Sequence, residues 1–187
     1  MKKTILSIAV IALVALTTAF SPIGSKLVSK TGHVNFFSHT AVEDITADNY
    51  KLVSTLETTT GEIIYTVPMQ SFEFENSTMQ KHFNSNKFLD TKQFPKSKFK
   101  GMITNLNDID FGTDGEYKAE VSGELSIHGE TKAITENATI TVAGGTITVD
   151  VVMDITLADY GVAFTKGKPS KNIAKTVKAT VKAVYTN

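Results

Sequence analysis

The chain has 187 residues, 41% of them hydrophobic and 20% charged, and its 19 lysines balance 19 acids to a formal net charge of zero. A neutral chain without arginine lacks the basic footprint that nucleic-acid binding requires, and this apolar content argues against disorder. The absence of cysteine excludes disulfides, thiolate metal sites, a cysteine nucleophile and a lipidated N-terminal cysteine.

Residues 1–19 read as a signal peptide. Lys2 and Lys3 form a positive n-region, Ile5 to Leu16 an apolar h-region, and Thr17-Thr18-Ala19 a small-residue cleavage site. As a membrane anchor the apolar run falls short of the ~20 residues that a span needs. Cleavage near Ala19 leaves residues 20–187 as one domain with two more acids than bases. The expectation is a bacterial periplasmic or secreted protein that is not integral to a membrane after cleavage.

Residues 33–38 offer Val34 and Phe36 to one face of a first strand, and 51–59 form a second. Over 62–69, Ile63, Tyr65, Val67 and Met69 share a face. Residues 77–90 interrupt the alternation and suit a short helix capped by Ser77 or Thr78. Pro95 then resets the chain to extended structure, and Phe99, Gly101 and Ile103 share the next inner face. The strongest pattern covers 116–128, where Tyr117, Ala119, Val121, Gly123, Leu125 and Ile127 oppose Glu116, Lys118, Glu120, Ser122, Glu124 and Ser126. Residues 133–142 place Ile134, Ala138, Ile140 and Val142 together. In 146–157, Ile147, Val149, Val151, Met153, Ile155 and Leu157 align, and in 176–185 Val177, Ala179, Val181, Ala183 and Tyr185 do. Asp114-Gly115, His128-Gly129 and Gly144-Gly145 are the turn signals between them, the last the strongest for a hairpin.

Long strands with one apolar face pair as a sandwich or close as a barrel. Strands of this length favour a barrel of about eight, wide enough inside for a small ligand. The inner-face small residues Gly101, Ala119, Gly123, Ala179 and Ala183 either leave space there or sit beside bulky partners. Phe72, Phe74, Phe83, Phe88, Phe94 and Phe99 cluster around the helical insertion, as a plug for one barrel end or as a lipid gate.

Catalytic signals are missing. His33, His39, His82 and His128 form no tight metal pair, and His128 beside its turn glycine reads as solvent-exposed. Asp108-Ile109-Asp110 lies in an Asn/Asp-rich loop without EF-hand spacing. No G-x-S-x-G elbow or phosphate loop occurs. Asn76-Ser77-Thr78 and Asn137-Ala138-Thr139 match a glycosylation acceptor, which means little in a bacterial host. Lysines at 96, 98 and 100 and at 171, 175, 178 and 182 read as solvated faces, or as a rim for anionic head groups. No catalytic residue, metal or cofactor is expected.

Three segments resemble the YceI-like, polyisoprenoid-binding proteins. Met79 to Gly101, MQKHFNSNKFLDTKQFPKSKFKG, is similar to that family's short helix, aromatic–acidic stretch and proline-led strand. Gly123 to Ile134, GELSIHGETKAI, resembles its hairpin, with His128 where an arginine is usual. GHVNFFSHTAVEDITADN resembles its opening strand, without the usual preceding aromatic. The likeness runs from about residue 30 to 185. It implies a lipocalin-like antiparallel β-barrel, usually exported, with a long isoprenoid or related lipid in its lumen. Several members are dimers, so a homodimer is among the expectations.

Together these readings predict an exported protein that carries or stores an isoprenoid or fatty lipid, for transport or in a stress response. The lumen candidates are Phe36, Tyr65, Val67, Met69, Phe83, Phe88, Phe99, Ile103, Leu125, Met153 and Phe164. The alternatives are a structural or interaction barrel with a filled core, and a hydrolase or metal-assisted enzyme.

Overall fold

The computed structural model of the protein describes residues 26–164 and 167–186. The leader expected over 1–19 lies outside them. Eight strands form a closed barrel in sequence order: β1 (Lys26–His39), β2 (Asp44–Glu57), β3 (Glu62–Pro68), β4 (Lys96–Ile103), β5 (Gly115–Ile127), β6 (Glu130–Ala143), β7 (Thr146–Thr156) and β8 (Thr176–Thr186). Each is antiparallel to the next, and β8 returns to β1 through His33↔Lys182 to Phe37↔Lys178. Closure leaves no strand at the end of an open sheet.

Alternation decides which side chains turn inward. In β8, Val177, Ala179, Val181, Ala183 and Tyr185 are buried, while Lys178 and Lys182 face water. The same parity holds through β4 and β7. The lysines at 96, 98 and 100 lie on the outer face of β4, and Lys100 pairs with Glu62 at 3.4 Å. Two hairpins use glycine turns with positive φ at both central residues, His128-Gly129 (52° and 83°) and Gly144-Gly145 (55° and 80°). That twist matches the flanking strands. Asp114-Gly115 is no tight hairpin: residues 104–114 form a longer loop, and the Asp114 carboxylate accepts the Gly144 N–H at 3.0 Å.

β1 and β2 start earlier than the alternation implies. Between β3 and β4, helix α1 (Ser77–Asn84) stands where a helix was expected, but its cap is Asn76. The Asn76 side chain accepts from the Thr78 N–H at 2.8 Å and the Met79 N–H at 3.4 Å. An asparagine one residue earlier satisfies those free amides as well as serine or threonine would. A second short helix, α2 (Pro169–Asn172), and a 3₁₀ turn at Leu157–Tyr160 lie between β7 and β8. No periodic signal announced them.

The barrel has two unlike halves. At the end holding the β6–β7 hairpin, Leu52, Leu56, Ile63, Ile140, Val149 and Ala183 are wholly buried and fill the interior. Gly101 and Gly123 face each other across β4 and β5 at the border. A Cβ on Gly123 would come within 2.4 Å of the Gly101 Cα, so glycine permits the close approach of these strands. The ring of Phe99 lies over Gly101, whose added Cβ would stand 2.5 Å from it. These two glycines, with Ala119 and Ala183, therefore sit in contact with neighbours rather than leaving space; of the small inner residues, Ala179 borders open volume.

Candidate functional site

The other half of the barrel holds a cavity of about 420 Å³ that is partly open to solvent. Its walls come from inward positions near the open strand ends: Val34 and Phe36 on β1, Tyr65 and Val67 on β3, Phe99 on β4, Leu125 and Ile127 on β5, Met153 and Ile155 on β7, and Val177, Ala179 and Val181 on β8. Its roof comes from connections. After β3 the chain runs on along β2, held by the Asp48 and Glu73 backbones, whose N–H groups bond reciprocally at 3.1 and 2.7 Å. Two-residue spacing then turns both Phe72 and Phe74 into the cavity. α1 adds Met79 and Phe83, and the segment after it adds Phe88 and Leu89.

Phe36 is the centre of an aromatic cluster. Its ring lies 5.7 Å from Phe72 and 5.6 Å from Phe74, both edge-on, and 5.8 Å from Phe83, stacked. Phe83 also meets Phe72, Phe74 and Phe88 at 5.3, 5.1 and 6.0 Å. Such pairs add roughly 0.5–1.5 kcal/mol each beyond their area burial. The other side of the roof is Leu157, Tyr160, Val162, Pro169 and Ile173. It is tied to the β1–β2 end by two hydrogen bonds. Asn172 Nδ2 donates to Glu43 Oε2 at 2.7 Å, and the Ala174 N–H donates to Ser38 Oγ at 2.9 Å.

Polar groups on the lining are few. Ser97 Oγ donates to the Ser126 carbonyl at 2.9 Å, and Ser38 and Glu43 serve the roof. Tyr65, on the floor, differs: its hydroxyl is buried, makes no close hydrogen bond and has the Tyr185 hydroxyl as a polar neighbour. Burial pushes its phenol well above the usual value, and the neighbouring Tyr185 adds to the shift. Tyr185, whose hydroxyl pairs with Ser54 Oγ, is likewise pushed up to about 12 by burial.

Of the lumen candidates, Phe36, Tyr65, Val67, Met69, Phe83, Phe88, Phe99, Leu125 and Met153 line this cavity. Ile103 does not. β4 runs from the cavity toward the filled half, and Ile103 lies at that far end against Gly61. Alternation placed it on the correct face but carried no information about depth. Phe164 does not reach the cavity either; it stacks behind Phe88 at 5.0 Å. Val34, Ile127, Ile155, Val177 and Val181 were missed as lining residues, although they continue the recognised alternations toward the open ends. The roof residues between 157 and 173 gave no such signal.

The histidines are scattered. His33 Nε2 meets Asp48 Oδ1 at 2.8 Å and its ring stacks on Tyr50, while His39 Nδ1 meets Asp44 Oδ1. His82 borders the cavity at the roof. His128 is half-buried rather than exposed: its ring lies edge-on to Phe94, and Nδ1 is 3.2 Å from the Tyr160 carbonyl. The turn points it back onto the barrel instead of into solvent. Among the described residues no three His, Asp or Glu side chains converge on a metal-sized space. Asp110 organises its own loop, accepting the Gly112 N–H at 2.9 Å and the Thr113 hydroxyl at 2.8 Å, and the Gly112 N–H above all holds its carboxyl below the usual range.

The YceI-like domain family matches residues 24–185 of the sequence. No curated protein matches it. Among solved structures, a polyisoprenoid-binding domain from Saccharophagus degradans, implicated in plant cell wall breakdown, has a TM-score of 0.73 at 16% identity, over 87% of this chain and 98% of that one. BcnA of Burkholderia cenocepacia has a TM-score of 0.64 at 19% identity, over 82% and 95%. The YceI protein of Campylobacter jejuni has 0.57 at 17%, over 73% and 81%. These likenesses speak for the fold.

Proposed function

This chain belongs to the YceI-like family, and on that premise we propose that it is a binding protein, not an enzyme, that holds an isoprenoid or other long-chain amphiphile in its barrel. The observation that carries the proposal is the cavity of about 420 Å³ with its phenylalanine-rich roof. Its size falls within the roughly 300–1,000 Å³ of small-molecule sites, which combine apolar walls with few polar groups. Each methylene buried there gains about 0.8 kcal/mol, so affinity needs little polar chemistry. Tyr65 supplies one unpaired hydroxyl at the floor. The polyisoprenoid-binding neighbour supports a terpenoid chain as ligand. With the leader read from residues 1–19, the working place of the protein is the periplasm or the exterior, in lipid transport or storage.

Native mass spectrometry of the exported protein, purified without detergent, tests the proposal when followed by organic extraction. A polyprenyl or fatty species at one per chain is the expected result. A bare mass, with no uptake of added geranylgeraniol, would overturn it in favour of a structural barrel. The same spectrum reads out the oligomeric state.

A further inference from the structure

The wall of the barrel is not uniformly sealed. β6 is paired with β5 along its whole length, from Ile127↔Glu130 to Gly115↔Val142. β7 is paired with β8 from Thr146↔Thr186 to Thr156↔Thr176. Between β6 and β7, however, the ladder runs only from Ala143↔Thr146 to Ala138↔Val151. Beyond that pair, among the described residues, 130–137 of β6 and 152–156 of β7 do not pair with each other. A cleft of about 300 Å³ opens where they part.

The sequence explains the parting. Continuing the register would set Glu136 opposite Met153. Glu136 has the inward parity of Ala138, Ile140 and Val142, so a closed wall would push a carboxylate into the apolar lumen. A buried carboxylate without a partner is costly, whereas in the open cleft it keeps water. Thr135 would likewise fall opposite Asp154. The filled half has no such conflict, and there the β6–β7 ladder is complete.

The cleft leads into the cavity. Leu125, Met153, Ile155 and Tyr160 line both spaces, so the two share a wall. Met153 and Ile155 are half-buried, with open volume on two sides. Met and Leu change rotamer readily where packing is incomplete. The barrel end is covered differently. There the stacked phenylalanines interlock and two hydrogen bonds hold down Asn172 and Ala174. Widening the end breaks ring contacts and polar contacts together, whereas opening the side displaces Leu125, Met153 and Ile155 beside the ring of Tyr160.

We propose that the ligand passes into and out of the cavity sideways, through the gap between β6 and β7, with Leu125, Met153 and Ile155 as the yielding side chains. The amphiphile then rests with its tail in the lumen and its polar end in the cleft, against Lys132, Glu136, Asp154 and Asp159. This rests on the binding function proposed above.

The chain has no cysteine, so engineered pairs react cleanly. Thr135→Cys with Asp154→Cys, joined by a short bis-maleimide, staples the side gap. Glu43→Cys with Asn172→Cys, joined by the same bis-maleimide, staples the end, where these two side chains are hydrogen-bonded. Uptake and release of 11-(dansylamino)undecanoic acid are followed by stopped-flow fluorescence, and circular dichroism checks the fold of each variant. The side staple is expected to slow both rates by about tenfold or more, and the end staple to keep them within about twofold, each against the same double-cysteine variant before crosslinking. Unchanged rates with the side staple, or slowing by the end staple to the same or a greater extent, would overturn the lateral route while leaving the binding function standing. No uptake by the unmodified protein would overturn the binding function, and the route with it.

Discussion

The two halves of this barrel are built from the same strands and the same alternation, yet one is solid and the other hollow. In the filled half, Leu56, Ile63, Ile140 and Val149 show no exposed surface. In the hollow half, Phe36, Val67, Ile127, Met153 and Ile155 also point inward but remain half-buried. The difference lies in what meets those side chains. The filled half is wound tightly enough for residues from opposite walls to touch, helped by the glycine contact between β4 and β5. In the hollow half β6 departs from β7, and long connections cover the space instead of filling it.

This contrast predicts opposite responses to substitution. The largest effect is expected for Leu125→Arg, which puts a guanidinium in the cavity wall. Binding of a long-chain probe should weaken by about 3 kcal/mol or more, over a hundredfold, while circular dichroism still reports a β-barrel. A folded variant that keeps its affinity would refute the lumen as the ligand site. Ile140→Ala, wholly buried in the filled half, should instead cost roughly 2–5 kcal/mol of stability in urea unfolding. Probe affinity of its folded fraction should stay near that of the parent, and a comparable loss of affinity would mean that the halves are not independent.

Alkali should expose the border between the halves. The unfolded Tyr185 phenol ionises near 10.0, while burial holds the folded one to about 12. A raised folded value means that the neutral form is the one stabilised, so the contribution is complete below pH 10 and is lost as pH rises toward 12. The loss should run at roughly 1.4 kcal/mol per pH unit across that window. Tyr185→Phe should lower the slope, leaving the part that belongs to the raised Tyr65 phenol, and an unchanged slope would place the titration elsewhere. The smallest effects come from deleting single hydroxyls. Tyr185→Phe below pH 10 should cost about 1 kcal/mol, since it leaves Ser54 unpaired. Tyr65→Phe should be neutral or slightly stabilising, because its hydroxyl has no close hydrogen bond to lose. A destabilisation by Tyr65→Phe as large as that by Tyr185→Phe would contradict this assignment.

Much of the architecture was legible. The runs at 116–128, 146–157 and 176–185 announced β5, β7 and β8 with their correct inner faces. His128-Gly129 and Gly144-Gly145 announced two hairpins, because a turn that needs positive φ is a local demand. The phenylalanines around the insertion do converge at one barrel end. What escaped has a common cause. Ile103 and Leu125 look alike in sequence, both inward on neighbouring strands, and only the strand direction places one in the solid half and the other on the cavity. Glu136 is the informative exception within the run at 133–142: a carboxylate on the apolar parity marked the place where the wall parts.

Alone, the sequence determined the period of each strand, the positions of the tight turns and the side chains that turn inward, since steric preference and amphipathic alternation act over a few neighbouring residues. Tertiary structure decided whether an inward side chain touches another or borders open space. That depends on groups brought from distant parts of the chain, such as Phe72 and Phe74 laid along β2, or Ile173 folded over the barrel end. The cavity is the volume that no segment arrives to fill.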